Sequence, residues 1–420
     1  MVRRFVGLVA ILPLACLVLI PASLNAQDAA FYANRGADFV KKGEYDKAIA
    51  DCTEAIRLDP KLAKAYYNRG VAYGFKADYD KAITDLTEAI RLDPNNAEAH
   101  CYRGAAQWHK GNYDRAISDC TGAIRLDPKL AHAYCNRGAA YGGKGDQDKE
   151  IADYTEAIRL DPKNATAYYN RGVVYRSKGD YDKAIADCAE AIRLNPIDAV
   201  AYFSRGAAYG ERGDNAKAIA DCADAIRLDP KLAGAYSYRG WAHRRSGDSD
   251  KAIADLDEAI RLDPNDATAH ANRGAVYADR GEYDRALTDL NEAIRLDPKD
   301  AGSYVSRGVA YTNKGDYAKA IADCTEAIRL DPKATGVYLY RGAANAGKGD
   351  YGKAIADYTE AIRLDPGIAE AYQSRGAAYT LMGDYAKATA DYAEAVRLNP
   401  ALVDPYNDSG SAPEGQGDHP

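Results

Sequence analysis

Residues 63–96 read AKAYYNRGVAYGFKADYDKAITDLTEAIRLDPNN, and residues 165–198 read ATAYYNRGVVYRSKGDYDKAIADCAEAIRLNPID. In the first stretch Ala65, Tyr66, Gly70 and Tyr73 fall at helical spacing, as do Tyr79, Ala82, Ile83, Leu86, Ala89, Ile90 and Leu92. Spacings of three and four gather apolar side chains on one face of a helix, whereas a strand alternates by two. Each stretch therefore predicts two amphipathic helices. Between them Lys178-Gly179-Asp180 offers a glycine that ends the first helix in a left-handed conformation and an aspartate that caps the second. The second helix stops before Pro94 or Pro196, because proline disfavours helix at the residue ahead of it.

The same punctuation runs along the chain. Pro60, Pro94, Pro128, Pro162, Pro196, Pro230, Pro264, Pro298, Pro332, Pro366 and Pro400 are each 34 residues apart. Self-similarity at a fixed period of this size predicts stacked helix hairpins. Eleven repeats start at residues 29, 63, 97, 131, 165, 199, 233, 267, 301, 335 and 369, and cover 29–402 without an insertion. Asn96, Asp198, Asp266 and Asp300 are placed to cap the following first helices.

These repeats resemble the tetratricopeptide repeat. Tyr66, Gly70, Tyr73, Ala82, Leu86, Ala89 and Pro94 stand where that family favours a large residue, a small one, an aromatic, Ala, an aromatic, Ala and Pro. Tyr168, Gly172, Tyr175, Ala184, Cys188, Ala191 and Pro196 do the same in the fifth repeat. The resemblance implies an all-α, right-handed superhelical solenoid of eleven antiparallel hairpins, with first helices lining a concave groove. Small residues such as Gly70 and Ala82 are expected to let the paired helices approach closely. Glu150 departs from this pattern, standing where the other repeats have Ala, and is expected to loosen the fourth hairpin.

A second departure recurs throughout. Position 7 of every repeat is Arg (Arg35, Arg69, Arg103 and on to Arg375), where the family usually has Leu, and position 23 is Asp (Asp51, Asp85 and on to Asp391). The two lie at similar height in an antiparallel hairpin, which predicts an Arg–Asp pair joining its helices. The alternative is a solvated Arg lying along the surface.

Residues 1–26 differ from the rest. Arg3 and Arg4 precede an apolar run from Phe5 to Ile20, followed by Pro21-Ala22-Ser23-Leu24-Asn25-Ala26. This predicts a signal peptide cleaved after Ala26, hence an exported protein of the periplasm or extracellular space with no stable membrane span thereafter. An uncleaved N-terminal anchor is the alternative. Residues 403–420, rich in Gly, Pro, Asp and Ser, predict a disordered tail. Without Arg3 and Arg4 the chain keeps 53 basic against 62 acidic residues, a balance that argues against nucleic acid as a partner.

Five of the eight cysteines (Cys52, Cys120, Cys188, Cys222 and Cys324) share position 24 and predict buried packing, too far apart to bridge. Cys101, His109, His132 and Cys135 lie on neighbouring first helices but without metal-site spacing, so packing is the expectation. No Ser-His-Asp set, phosphate loop or nucleotide fingerprint occurs. The reading is a non-catalytic scaffold without a cofactor.

Residues that repeat build the scaffold, so specificity belongs where first helices vary. Position 6 carries Asn34, Asn68, Asn136, Asn170 and Asn272, whose amides could hold an extended peptide backbone or simply be exposed helix residues. Aromatic and basic candidates gather in repeats 2–3 (Tyr67, Phe75, Tyr102, Trp108) and repeats 5–7 (Arg176, Phe203, Tyr238, Trp241, Arg244, Arg245). Trp and Arg anchor interfaces, and an Arg cluster could take a carboxylate. Packing between neighbouring first helices is the competing account of both tryptophans. The expected ligand is a protein or peptide, in envelope assembly or secretion; the alternative is a glycan, in polysaccharide export. Val396, Leu398 and Leu402 are expected to leave an apolar end that favours self-association.

Overall fold

The computed structural model describes residues 22–401, with side chains from residue 26. The apolar run of the expected leader, the expected tail and Leu402 lie outside the described residues. Within them the chain forms 22 helices and no strand. Each repeat contributes two: Ala63–Phe75 and Tyr79–Leu92 in repeat 2, and so on to Ala369–Leu381 and Tyr385–Leu398 in repeat 11. The first helix of repeat 1, Ala22–Lys41, begins ahead of the repeat boundary at Ala29 and continues through the expected cleavage point after Ala26. The helices belong to two compact bodies, residues 1–196 with five hairpins and residues 197–420 with six. In each body the two helices of a repeat pack as a hairpin, the second helix touches the next first helix, and most successive first helices touch one another, as those of repeats 1 to 4 and of repeats 6 to 11 do.

Local chemistry sets these boundaries. Turn glycines from Gly43 to Gly383 hold φ between 75° and 99°, the left-handed region open to glycine. Repeat 2 is the exception: Ala77 occupies that conformation at φ 60°. Asp180 caps the second helix of repeat 5, accepting the Lys183 N–H at 3.3 Å, and Asn96 caps the first helix of repeat 3 through Ala99 at 2.9 Å. Asp198, Asp266 and Asp300 cap in the same way.

The core is built from alanines and position 24. Ala82, Leu86, Ala89 and Ala99 are buried together, with Tyr66, Tyr73 and Tyr79 packed around them. The paired helices approach closely where Gly meets Ala, as expected: a Cβ at Gly104 would come 3.2 Å from the Ala116 carbonyl oxygen, and one at Gly172 3.2 Å from that of Ala184. The position-24 side chain joins this contact. A Cβ at Gly70 would sit 2.8 Å from Leu86 Cγ, and one at Gly104 would sit 2.6 Å from Cys120 Sγ. Position 8 thus faces position 24, and glycine makes room for that side chain. The position-24 cysteines are buried free thiols, and burial pushes those of Cys52, Cys222 and Cys324 up to about 12.

The Arg–Asp pair forms in every repeat. Nε and Nη2 of the guanidinium donate to the two carboxylate oxygens, as in Arg69 with Asp85 at 2.7 and 2.9 Å and Arg375 with Asp391 at 2.8 and 2.8 Å. Each Asp is buried and each Arg is partly exposed except Arg35, which is exposed. In several repeats the same Arg also donates to position 25 of the preceding one, as Arg69 does to Thr53 at 3.1 Å and Arg171 to Thr155 at 3.0 Å. One side chain therefore joins helices within a repeat and between repeats.

Glu150 is half-buried, and burial pushes its carboxyl up to about 7. Its carboxylate lies over Gly142, where an added Cβ would come within 2.5 Å of Oε1. The glycine supplies the room that an alanine scaffold otherwise lacks.

Candidate ligand-binding face

The face made by first helices carries positions 5, 6, 9, 12 and 13 of each repeat. In the N-terminal body Tyr67 (position 5) and Tyr102 (position 6 of the next repeat) meet edge to face, ring centres 6.0 Å apart at 66°. Tyr67 donates its hydroxyl to Glu98 Oε2 at 2.6 Å. Phe75 is 57% exposed and stacks on Tyr45 at 5.1 Å; Tyr102 is 38% exposed. Beside them Tyr79 and His109 stack at 4.5 Å.

These side chains border a recess of about 160 Å³. Its floor is Gly70, Gly74, Ala82 and Leu86; its sides are Phe75, Tyr79, Tyr102, Ala105 and His109. The second helix of repeat 2 supplies the apolar floor, and the small Gly74 and Ala105 leave the space open. The sequence expectation included Phe75 and Tyr102 but passed over Gly74 and Ala105. A comparison of positions 9 and 12 across repeats would have exposed them, since position 9 is Trp in repeat 7 and position 12 is Trp in repeat 3 and Arg in repeats 5 and 7.

Trp108 lies beside this recess without lining it. Its indole N–H donates to the Ala139 carbonyl at 3.0 Å, and its ring meets His109 edge to face at 4.7 Å. It joins the first helices of repeats 3 and 4.

The asparagines have separate environments. Asn68 is buried and donates to the Ala33 carbonyl at 3.0 Å, and Asn136 donates to Cys101 Sγ at 3.3 Å. Asn34 is exposed and accepts from Lys64 at 2.7 Å. Asn170 hydrogen-bonds Tyr154, and Asn272 is half-buried. The buried members face the preceding repeat, because one residue of helical rotation separates the open face from the inter-repeat contact.

In the C-terminal body Phe203 and Tyr238 repeat the edge-to-face pair at 6.1 Å and 77°. Here Trp241 joins them, 4.8 Å from Tyr238, with Arg245 over its ring at 5.1 Å. Arg244 already holds Asp279 through two hydrogen bonds of 2.6 and 3.3 Å. Arg176 is half-buried in the N-terminal body. Of the expected Arg cluster, Arg244 holds a carboxylate within the chain and Arg245 lies exposed over an aromatic ring.

At the C-terminal end Leu381, Met382 and Tyr385 are 63%, 58% and 63% exposed, whereas Val396 and Leu398 are half-buried. Among the described residues the exposed apolar side chains of this end are Leu381, Met382 and Tyr385. Met382 replaces the basic residue that in repeats 2, 3, 4, 5, 8 and 9 pairs with the preceding repeat, as Lys144 does with Asp114 at 2.5 Å. Among the described residues no group of three metal-ligating side chains is arranged to hold a metal, and no helix is long and apolar enough to cross a membrane.

No curated protein matches the chain. Models described as "Tetratricopeptide repeat" match residues 63–96, 97–130, 165–198, 199–232, 239–301, 273–335 and 369–402, and one described as "TPR repeat" matches 36–74, 143–176 and 346–383. Among solved structures, the APC/C hetero-tetramer Cut9–Hcn1 is 16% identical, with 92% of this chain and 95% of that one covered and a TM-score of 0.55. A tetratricopeptide repeat protein from Parabacteroides merdae is 20% identical over 59% of this chain and 98% of that one, TM-score 0.49. YrrB, described as a TPR protein with an unusual peptide-binding site, is 26% identical over 44% of this chain and 95% of its own, TM-score 0.37. The likeness to Cut9–Hcn1 is one of fold. With the family models matched in segment after segment from residue 36 to residue 402, the chain belongs to the tetratricopeptide-repeat family.

Proposed function

We propose that this protein is a non-catalytic scaffold that holds a protein or peptide partner on its first-helix face, in envelope assembly or secretion. The tetratricopeptide fold is typical of protein-interaction scaffolds. The observation that carries the reading is the contrast between committed and open side chains. The invariant Arg and Asp are paired in every repeat, while Phe75 and Tyr102, both from variable positions, stay exposed beside an apolar recess. Exposed aromatic side chains around an apolar recess are the usual anchors of protein interfaces.

The glycan alternative needs open ring faces for stacking. Trp241 lies between Gly210 and Arg245, and Trp108 binds the neighbouring helix, so the observations favour a polypeptide. The leader-like residues 1–26 support export, which N-terminal sequencing of the protein from its native cell tests, with Gln27 expected first. Leu381, Met382 and Tyr385 support self-association at the C-terminal end, tested by light scattering across concentration.

The direct test places a photo-crosslinking amino acid at position 75 of the full chain in its native cell, with a control on the exposed Thr121. A saturable crosslink to one polypeptide from position 75, reduced by Tyr102→Ala and absent from position 121, is expected. Equal labelling from both positions, or crosslinks to carbohydrate alone, would overturn the proposal.

A further inference from the structure

Two places on the first-helix face are built to one plan. Each has an aromatic at position 5 of one repeat, a Tyr at position 6 of the next, and a Gly at position 12 of the first: Tyr67, Tyr102 and Gly74 in the N-terminal body, Phe203, Tyr238 and Gly210 in the C-terminal body. The aromatic pairs match in geometry, 6.0 Å at 66° and 6.1 Å at 77°. They differ at position 9 of the second repeat. There Trp241 lays its ring on Gly210, where a Cβ would meet Trp241 Cζ3 at 2.8 Å and Tyr238 at 3.0 Å. At the other place position 9 is Ala105, a Cβ on Gly74 would meet only Ala82, at 4.0 Å, and the recess stands open.

We infer that the recess over Gly74 is a receptor for one aromatic side chain of the partner polypeptide, carried next to a basic residue. The chain's own Trp241 is the template for the ring. The volume agrees, since about 160 Å³ is the size of apolar cavity that takes up a benzene-sized molecule. Phe75, Tyr79 and His109 at the sides present apolar surface and ring faces, over the buried Leu86 and Ala82. The basic neighbour follows from Glu98. It lies one helical turn from Tyr102, is exposed, and accepts a hydrogen bond from Tyr67 but, among the described residues, forms no ion pair. A cation beside the bound ring would meet that carboxylate.

This assignment rests on the polypeptide-scaffold reading, and its test separates the two. Fluorine NMR of a fluoroindole titrated into the full-length protein probes the recess without any partner. Saturable binding in the millimolar range or tighter is expected, weakened about tenfold or more by Ala105→Trp, which supplies the missing ring from within the chain. Ala105→Leu, a smaller filler, is expected to weaken it as well, and decides the matter if the Trp variant loses its helical circular dichroism. Acetyl-Lys-Trp-amide is expected to bind a few-fold tighter than acetyl-Trp-amide, an advantage that Glu98→Gln removes. No fluoroindole binding to the wild type, binding that neither filler weakens, or equal affinity of the two tryptophan amides overturns the inference. So does a partner that crosslinks to position 75 as well in Ala105→Trp as in wild type, a result that leaves the scaffold reading standing.

Discussion

Gly74 and Gly210 hold the same repeat position in different bodies, and what lies on them differs. Gly210 is covered by Trp241; Gly74 is left beneath an open recess. A third glycine at this position, Gly142, is covered from the other helix of its own hairpin, by the carboxylate of Glu150. A position-12 glycine thus makes a hollow, and a neighbouring side chain decides whether the hollow is closed by an aromatic ring, closed by a titratable group or left open. The comparison shows how one repeated scaffold acquires distinct sites through single substitutions while its Arg–Asp frame is unchanged.

The largest expected effect comes from removing the ring that closes the C-terminal hollow. Trp241→Ala takes away a partly buried indole, and with it the support for Tyr238 and Arg245. Large-to-small changes of this kind cost about 3–5 kcal/mol in full cores, so a loss of about 2–4 kcal/mol in urea titration of the full chain is expected here. The variant is also expected to gain fluoroindole binding, becoming a copy of the Gly74 site. Full stability with no new binding would break the equivalence of the two places. Lost stability with no new binding would show that Phe75 and His109, whose counterparts are Glu211 and Arg245, are needed as walls.

Next in size is the frame beneath both places. Arg69→Ala leaves Asp85, which is 6% exposed, without its counter-charge. Breaking a buried pair from one side costs about 3–5 kcal/mol; because Arg69 is itself partly exposed, about 2–3 kcal/mol is expected. The double variant Arg69→Ala with Asp85→Ala should recover part of that loss, because no carboxylate is then stranded. Strictly additive losses in the denaturation cycle would mean the pair is not coupled, and the frame common to the compared sites would need another basis.

Glu150 offers a smaller effect with a sign that depends on pH. Burial lifts its carboxyl from 4.5 to about 7, so the folded chain holds this proton more tightly than the unfolded chain does. Stability owed to this group is therefore complete below about pH 4.5, falls as pH rises through about 7, and is flat above. At pH 8 Glu150→Ala removes a poorly solvated charge and is expected to stabilise by about 1 kcal/mol. At pH 4.5 the neutral side chain only fills the space over Gly142, so the same variant should be neutral or slightly destabilising. A Glu150→Ala difference that stays constant between these pH values would remove Glu150 from the comparison as a titratable plug.

Much of this was legible in sequence, and the limit falls at a physical boundary. The proline ladder, the turn glycines and the Arg-Asp spacing are local or within one hairpin, and helical periodicity alone places them. Trp241 is a candidate from its residue type, and Ala105 stands out only when position 9 is compared across repeats; that each acts on a glycine of the preceding repeat depends on a helix–helix contact that local periodicity does not show. The direction of Asn68 was equally hidden: an amide at position 6 can face solvent or the Ala33 carbonyl, and only packing decides. At the C-terminal end Leu381 and Tyr385 outrank Val396 and Leu398 in exposure because they flank the loop between the two helices of the last hairpin, whereas Val396 and Leu398 lie in the last turn of its second helix.

The smallest prediction concerns the wall of the open recess. Ala77 is in the turn directly after Phe75 and takes a left-handed conformation that every corresponding turn gives to glycine. An L-residue there costs about 1–2 kcal/mol, while glycine gives back about 0.4–1 kcal/mol through the entropy of the unfolded chain. Ala77→Gly is therefore expected to stabilise by roughly 0.5–1 kcal/mol, a shift small enough to need replicate urea titrations. Its second consequence bears on the site. If the strained turn holds Phe75 upright at the edge of the recess, relaxing it will weaken fluoroindole binding although stability rises. If binding is unchanged, the edge is set by the Tyr45–Phe75 stack, and the strain at Ala77 has no part in distinguishing the open hollow from the filled one.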